Sequence, residues 1–92
     1  MTWTVTYSRQ AEKQRHNLPE RIKVVLNALI LEIMSSGPVR SSWKNYSKLS
    51  NGDHHCHLKK GHPTYVAVWQ VTDKSIKLVE VTYVGTHEKA PY

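Results

Sequence analysis

Cysteine is all but missing. Cys56 is the only one in 92 residues, so the chain cannot form an internal disulfide, and it shows no adaptation to an oxidising compartment. No apolar run is long enough to span a bilayer, so no membrane association is expected. Met1-Thr2-Trp3 leads straight into a strand pattern, without the basic n-region and apolar h-region of a secretory leader, and a cytoplasmic location is the expectation. Acidic residues are few as well: 7 Asp and Glu stand against 13 Lys and Arg, a formal net charge of +6. Six histidines add to it when protonated or placed beside a phosphate. Polyanions, either nucleic acid or an acidic protein, are the natural partners of such a surface, with a solvated basic surface as the alternative. Internal repeats, low-complexity runs and linkers are also absent. With 39% hydrophobic residues the chain is expected to form one domain over residues 1–92 around a single core.

What is present alternates first with period two. Trp3, Val5 and Tyr7 interleave with Thr2, Thr4 and Thr6, which predicts a strand with one apolar face. Ser8 is a candidate N-cap for a short polar helix from Arg9 to His16, with Ala11 to bury. Asn17-Leu18-Pro19-Glu20 reads as the start of a second helix, with Asn17 as cap, running from about Pro19 to Ser35. Ile22, Val25, Leu26, Leu29, Ile30 and Ile33 recur at spacings of three and four, one apolar stripe assigned to the core. Gly37-Pro38 stops this helix.

From Trp43 the pattern is strand and turn. Trp43 to Leu49 is expected to form a strand, Asn51-Gly52 a tight hairpin turn with positive φ, and His54 to Lys60 the return strand. A turn at Gly61-His62-Pro63 precedes Thr64 to Val71, apolar on both faces and therefore central. Thr72-Asp73-Lys74 turns into a last strand from Ser75 to Val84 that includes Ile76. The expected class is α+β: an N-terminal strand, then one short and one long helix on one face of a mainly antiparallel β-meander, the other face open.

Chemistry concentrates at His54–Gly61 and in the tail Gly85–Tyr92. In an extended strand His55, His57 and Lys59 point one way, Cys56 and Leu58 the other, so one face is chemical and the other core. Three readings of the histidines stand side by side. A metal site would use His55, His57 and His87 or Cys56, but Cys56 points away, no carboxylate lies within the cluster, and neither Cys-x-x-Cys nor His-Glu-x-x-His spacing occurs. A structural role suits His54 and His62, which flank turns. Acid–base chemistry on a phosphodiester needs a base for the 2′-hydroxyl, cations for the charge growing on phosphoryl oxygens, and an acid for the leaving 5′-oxygen; His57, Lys59, Lys60 and His87 are the right types. Gly85 is expected to turn the chain out of the last strand and bring His87 over the open face near His57 and Lys59.

The order strand, helix, helix, meander, together with the blocks Trp43–Leu49, His55–Gly61, Tyr65–Val71 and Tyr83–Tyr92, resembles the RelE/ParE toxin superfamily, and within it the RelE-like mRNA interferases. The resemblance covers essentially the whole chain. It implies a toxin that cuts mRNA in the ribosomal A site of the 70S ribosome without metal or other cofactor, and a cognate antitoxin that neutralises it. Residue by residue, it implies catalytic roles for His57, Lys59 and His87, and for Tyr92 as a terminal aromatic against the RNA. His55, Lys48, Lys60 and Lys89 become candidate RNA or phosphate contacts. Val66 stands where many members carry an arginine, so Lys60, Lys48 or Lys89 would have to supply that charge. The chain also ends at Tyr92 without the C-terminal helix of some relatives. A ParE-like gyrase inhibitor without enzymatic activity and a plain RNA-binding module are the rival readings; a ParE-like chain would not be expected to gather histidines beside lysines on the hairpin and end in Gly-x-His with an aromatic, whereas the charge alone is compatible with the binding module.

Overall fold

The structure is a computed structural model that describes residues 3–92; Met1 and Thr2, the latter assigned above to the polar side of the first strand, lie outside the described residues. Strand β1 (Thr4–Tyr7) is followed by helices α1 (Arg9–His16) and α2 (Glu20–Ser36), then by strands β2 (Ser47–Lys48), β3 (His54–Lys59), β4 (Tyr65–Asp73) and β5 (Leu78–Thr86). A 3-10 turn, His87–Lys89, closes the chain. The five strands form one sheet in the order β1-β5-β4-β3-β2. β2 to β5 are an antiparallel meander, and β1 joins it parallel to β5. That arrangement follows from the two helices between β1 and the meander: they carry the chain across the sheet, so the first strand can run alongside the last.

The helix boundaries have local causes. Ser8 caps α1, its hydroxyl accepting from the Ala11 N–H at 3.1 Å. Asn17 does not cap α2 as expected; it closes α1, its N–H donating to the Gln14 carbonyl, and Pro19 holds the cap position of α2. Proline suits that place because its missing N–H is one the helix start leaves unbonded anyway. Gly37 ends α2 with φ of 99°, a conformation that L side chains rarely adopt, and its N–H bonds the Ile33 carbonyl. A Cβ there would also sit 3.2 Å from the Trp3 indole nitrogen, closer than an ordinary contact, so the indole would have to shift.

Ile22, Leu26, Leu29 and Ile33 are buried as the spacing predicts, with Val25 and Ile30 half-buried at the flanks. They meet Cys56, Leu58, Ala67, Trp69, Val79, Val81 and Val84 on one face of the sheet, and Ala11 and Leu18 join the same core. Leu29 is fully buried. Leu29→Ala should therefore cost about 2–5 kcal/mol, read from the shift in denaturant midpoint at constant m-value; an unchanged midpoint would contradict the packing.

Several strand boundaries differ from expectation. Of Trp43–Leu49 only Ser47 and Lys48 join the sheet; the residues before them turn, with Asn45 at φ of 54°. The hairpin loop spans Leu49 to Asp53, and of its Asn-Gly pair only Gly52 has positive φ, while the Asn51 side chain accepts from the Asp53 N–H at 2.9 Å. Ser75 and Ile76 lie in a turn rather than in β5: the Asp73 carboxylate accepts from the Ser75 N–H, the Ser75 hydroxyl and the Ile76 N–H, and Ile76 is left exposed. β5 carries a bulge as well. Trp69 pairs with Val81 and Val68 with Tyr83, which leaves Thr82 without a partner. The extra residue shifts the alternation, so Val79, Val81 and Val84 all reach the core while Tyr83 joins Val66 and Val68 on the open face.

Candidate active site on the open face of the sheet

The open face is built outward from β3. Cross-strand partners share a face, so His55 opposite Val68 and His57 opposite Val66 stand with the small apolar cluster of Val66, Val68 and Tyr83. Cys56 and Leu58 are buried in the core opposite, as alternation requires. Burial pushes the Cys56 thiol up to about 12, which makes it an inert core residue.

A second bulge redistributes the lysines. His57 pairs with Val66 but Lys59 pairs with Tyr65, so Leu58 has no partner of its own. Tyr65 packs on the helix side, and Lys59 shares that side with its Nζ close over Gly61. The expected trio of His55, His57 and Lys59 on one face is thus broken: the inserted residue moves Lys59 off the histidine face. Lys60 takes its place as the lysine whose charge acts on His57.

The tail returns to this face through main-chain bonds. The His87 N–H donates to the Thr64 carbonyl at 2.8 Å, and the Ala90 N–H to the His87 carbonyl at 3.2 Å. Ala90 then packs against Val66, Val68 and Tyr83. Gly85 does not make the turn, contrary to expectation; it lies inside β5 opposite Val66. Its missing side chain serves Tyr83, whose hydroxyl would lie 2.8 Å from a Cβ at this position and which donates to the Thr86 carbonyl at 2.6 Å.

Four rings result in one cluster. The centroids of His57 and His87 are 5.5 Å apart, those of His55 and His57 6.4 Å, those of His55 and Tyr92 4.5 Å, and those of His87 and Tyr92 5.8 Å. His87 is exposed at the rim and Tyr92 half-exposed. His55 lies beneath, only 8% exposed, with Nδ1 at 3.1 Å from the Ser47 hydroxyl and 3.3 Å from the Ser47 carbonyl. These contacts to Ser47 hold the ring against Tyr92. That makes His55 a support for the cluster rather than a surface phosphate contact.

Electrostatics single out His57. Its pKa is depressed, first by desolvation, then by electrostatic repulsion from His87, His55 and Lys60. Its Nδ1 is buried and has no hydrogen-bond partner among the described residues. A neutral imidazole at neutral pH follows, ready to take a proton. Burial chiefly raises the Tyr92 pKa, which keeps its phenol a proton donor. Among the described residues no group of three or more His, Cys, Asp and Glu is arranged to hold a metal ion.

The remaining candidates lie elsewhere. Lys48 pairs with His54 on the helix side of β2 and helps, after desolvation, to depress the His54 pKa. His54, assigned above to a turn flank, is a core residue: it stacks on Trp69 with centroids 5.8 Å apart and shares a 2.7 Å hydrogen bond with the Tyr46 hydroxyl. His54 meets Trp69 across the β3–β4 pairing and Tyr46 from the turn before β2, contacts set by strand register rather than by any local pattern around His54. His62 is exposed. Lys89 lines a separate cleft between α1 and the end of β5.

No family model matches the sequence, and no curated protein matches it either. Solved structures do. E. coli toxin RelE in the free state, as a mutant with two arginines changed to alanine, superposes with a TM-score of 0.71 at 22% identity, over 98% of this chain and 88% of that one. A chain of the intact E. coli RelBE toxin-antitoxin complex gives 0.70 at 22% identity, over 95% of this chain and 99% of that one. The isolated E. coli RelE toxin gives 0.66 at 20% identity, over 97% and 88%. The fold of this chain is the RelE fold.

Proposed function

We propose that this RelE-fold chain is the toxin of a toxin–antitoxin pair, and that it acts as a metal-independent endoribonuclease cutting mRNA in the A site of the 70S ribosome. The observation that carries the reading is the meeting of His57 and His87, from distant segments, beside Tyr92 on an otherwise unused sheet face. His57, its pKa lowered by burial and by repulsion from His87, His55 and Lys60, takes the proton of a 2′-hydroxyl. The 2′-oxygen then bonds to phosphorus as the bond to the 5′-oxygen breaks. His87 at the rim gives that oxygen its proton, and Lys60 stabilises the charge on the phosphoryl oxygens. The products are a 2′,3′-cyclic phosphate and a 5′-hydroxyl. Tyr92 stacks on a base or donates its phenol at the same mouth.

The partner antitoxin follows from the likeness to a toxin that forms a toxin-antitoxin complex in E. coli. With a net charge of +6 on the toxin, an acidic or amphipathic segment that covers the histidine face is the expected neutraliser. A soluble protein working on cytoplasmic ribosomes is consistent with the described helices, none of which is long and apolar enough to cross a membrane.

Cell-free translation with reverse-transcription mapping of mRNA ends tests the function. New ends within A-site codons, formed as readily after chelation, are expected. Cleaved DNA in the presence of gyrase and intact mRNA would replace the nuclease with the inhibitor reading, and neither product would leave only RNA binding.

A further inference from the structure

Next to the candidate site the edge of the sheet is unfinished. β1 pairs with β5 only as far as Tyr7 opposite Val81, and the Ser8 N–H on the Val81 carbonyl closes that ladder. Beyond it β5 continues to Thr86 with α1 in place of a neighbouring strand. The His87 N–H bonds inward to Thr64, so by antiparallel alternation Val84 and Thr86 direct their own N–H and C=O groups outward. One group of each is occupied: the Val84 N–H donates to Gln14 Oε1 at 3.1 Å, and the Thr86 carbonyl accepts from the Tyr83 hydroxyl. The Val84 carbonyl and the Thr86 N–H have no partner among the described residues, and they border a cleft of about 440 Å³.

That cleft is lined from α1 and its end by Gln10, Gln14 and Asn17, from the sheet by Tyr65, and from the tail by Lys89. An outward acceptor and an outward donor on one strand edge, facing side-chain amides that both donate and accept, match the mixed donor and acceptor edge of a nucleobase. A tyrosine ring offers a stacking surface, and a lysine a counter-charge for phosphate. The volume lies within the roughly 300–1,000 Å³ usual for small-ligand sites. Thr86 immediately precedes His87, so RNA with a phosphate at His87 has a neighbouring base within reach of this edge.

We propose that the cleft between α1 and the end of β5 is a nucleobase subsite, which holds a base beside the bond that is cut and makes Gln10 and Asn17 specificity determinants. The place in cleavage rests on the nuclease reading; the recognition of a base does not. An extended peptide would use the same strand edge, but two free main-chain groups give it almost no ladder, whereas amides, a ring and a cation suit a nucleotide.

The test titrates the full chain with each of the four nucleoside 5′-monophosphates while heteronuclear NMR follows the Thr86 backbone amide and the Gln10 and Asn17 side-chain amides. Saturable shifts at these signals are expected, with one base preferred by about tenfold. Gln10→Ala, an exposed position on α1, should remove that preference at unchanged Tm, and mapped mRNA cuts should lose the same bias. Shifts at Lys89 alone, equal for all four nucleotides and for inorganic phosphate, overturn the subsite, and so does an antitoxin-derived peptide that fills the cleft when the nucleotides do not. Base-selective binding by a chain that cuts no mRNA sinks the nuclease and leaves the subsite standing. Cutting without selective binding does the reverse.

Discussion

His87→Ala should lower mRNA cleavage by about 10²–10⁴-fold, the usual scale for removal of an acid or base, while Tm stays close to that of the parent. The two halves of this expectation have separate physical grounds. What His87 contributes to the fold is main chain: its N–H holds the Thr64 carbonyl and its carbonyl accepts from Ala90, and alanine keeps both. Its imidazole is exposed and its ring neighbours are His57 and Tyr92, so truncation opens no core cavity. Single-turnover cleavage and thermal melting on one preparation separate catalysis from stability. A variant that melts early yet cuts normally per folded molecule would remove His87 from the chemistry. Tyr92→Ala should be milder if stacking is its only role, because stacking orients the RNA without moving a proton; a loss as large as that of His87→Ala would assign its phenol to the chemistry.

The core was legible in the sequence and the lysine assignment was not, for one reason. A stripe at Ile22, Leu26, Leu29 and Ile33 is a local periodic signal, and burial on one side of a helix is all it needs. The face of a strand residue depends on an unbroken count from a reference, and one unpaired residue reverses it. Leu58 and Thr82 are such residues, and neither is a glycine or proline that would mark a break. Lys59 and Lys60 look equivalent in the chain; the bulge decides between them. The opposite case is β5, where Val79, Val81 and Val84 cannot share a face under strict alternation. That mismatch was the one sequence trace of its bulge.

The site was half legible for a similar reason. His57 and His87 were singled out by residue type, and the structure brings their rings together through a tail anchored by His87 on Thr64 and by Ala90 on an apolar floor. Val66 belongs to that floor, fully buried beneath the tail. An arginine there would have to displace the tail to reach a phosphate, so the absence of arginine and the packing of Ala90 fit one another. Burial of His55 and its bond to Ser47 depend on a two-residue strand that no local pattern announces.

Acidification should expose the difference between the two lysines. The neutral form of His57 is the base in the proposed mechanism, and its pKa lies below the ordinary value near 6.5, with desolvation the first cause and the charges of His87, His55 and Lys60 next. The rising limb of kcat/KM with pH should therefore sit below the usual histidine range, and activity should hold to lower pH than an exposed imidazole would allow. Lys60→Ala removes one depressing charge, so the limb should move up toward 6.5 without reaching it, since burial remains. Lys59→Ala, whose charge is not among those acting on His57, should leave the limb where it is. Folding adds an independent reading of the same group. A depressed pKa means the folded state resists protonation, so its stability is fully present above about pH 6.5 and is lost as pH falls through the folded value. His54, depressed mainly by burial, adds to that loss. His57→Gln should cut cleavage by about 10²–10⁴-fold and flatten the acid limb, and within the histidine range it should leave the His54 part of the acid loss in Tm. A limb that stays in place in Lys60→Ala and moves in Lys59→Ala would return the catalytic lysine to Lys59 and refute the bulge as the element that chooses between them.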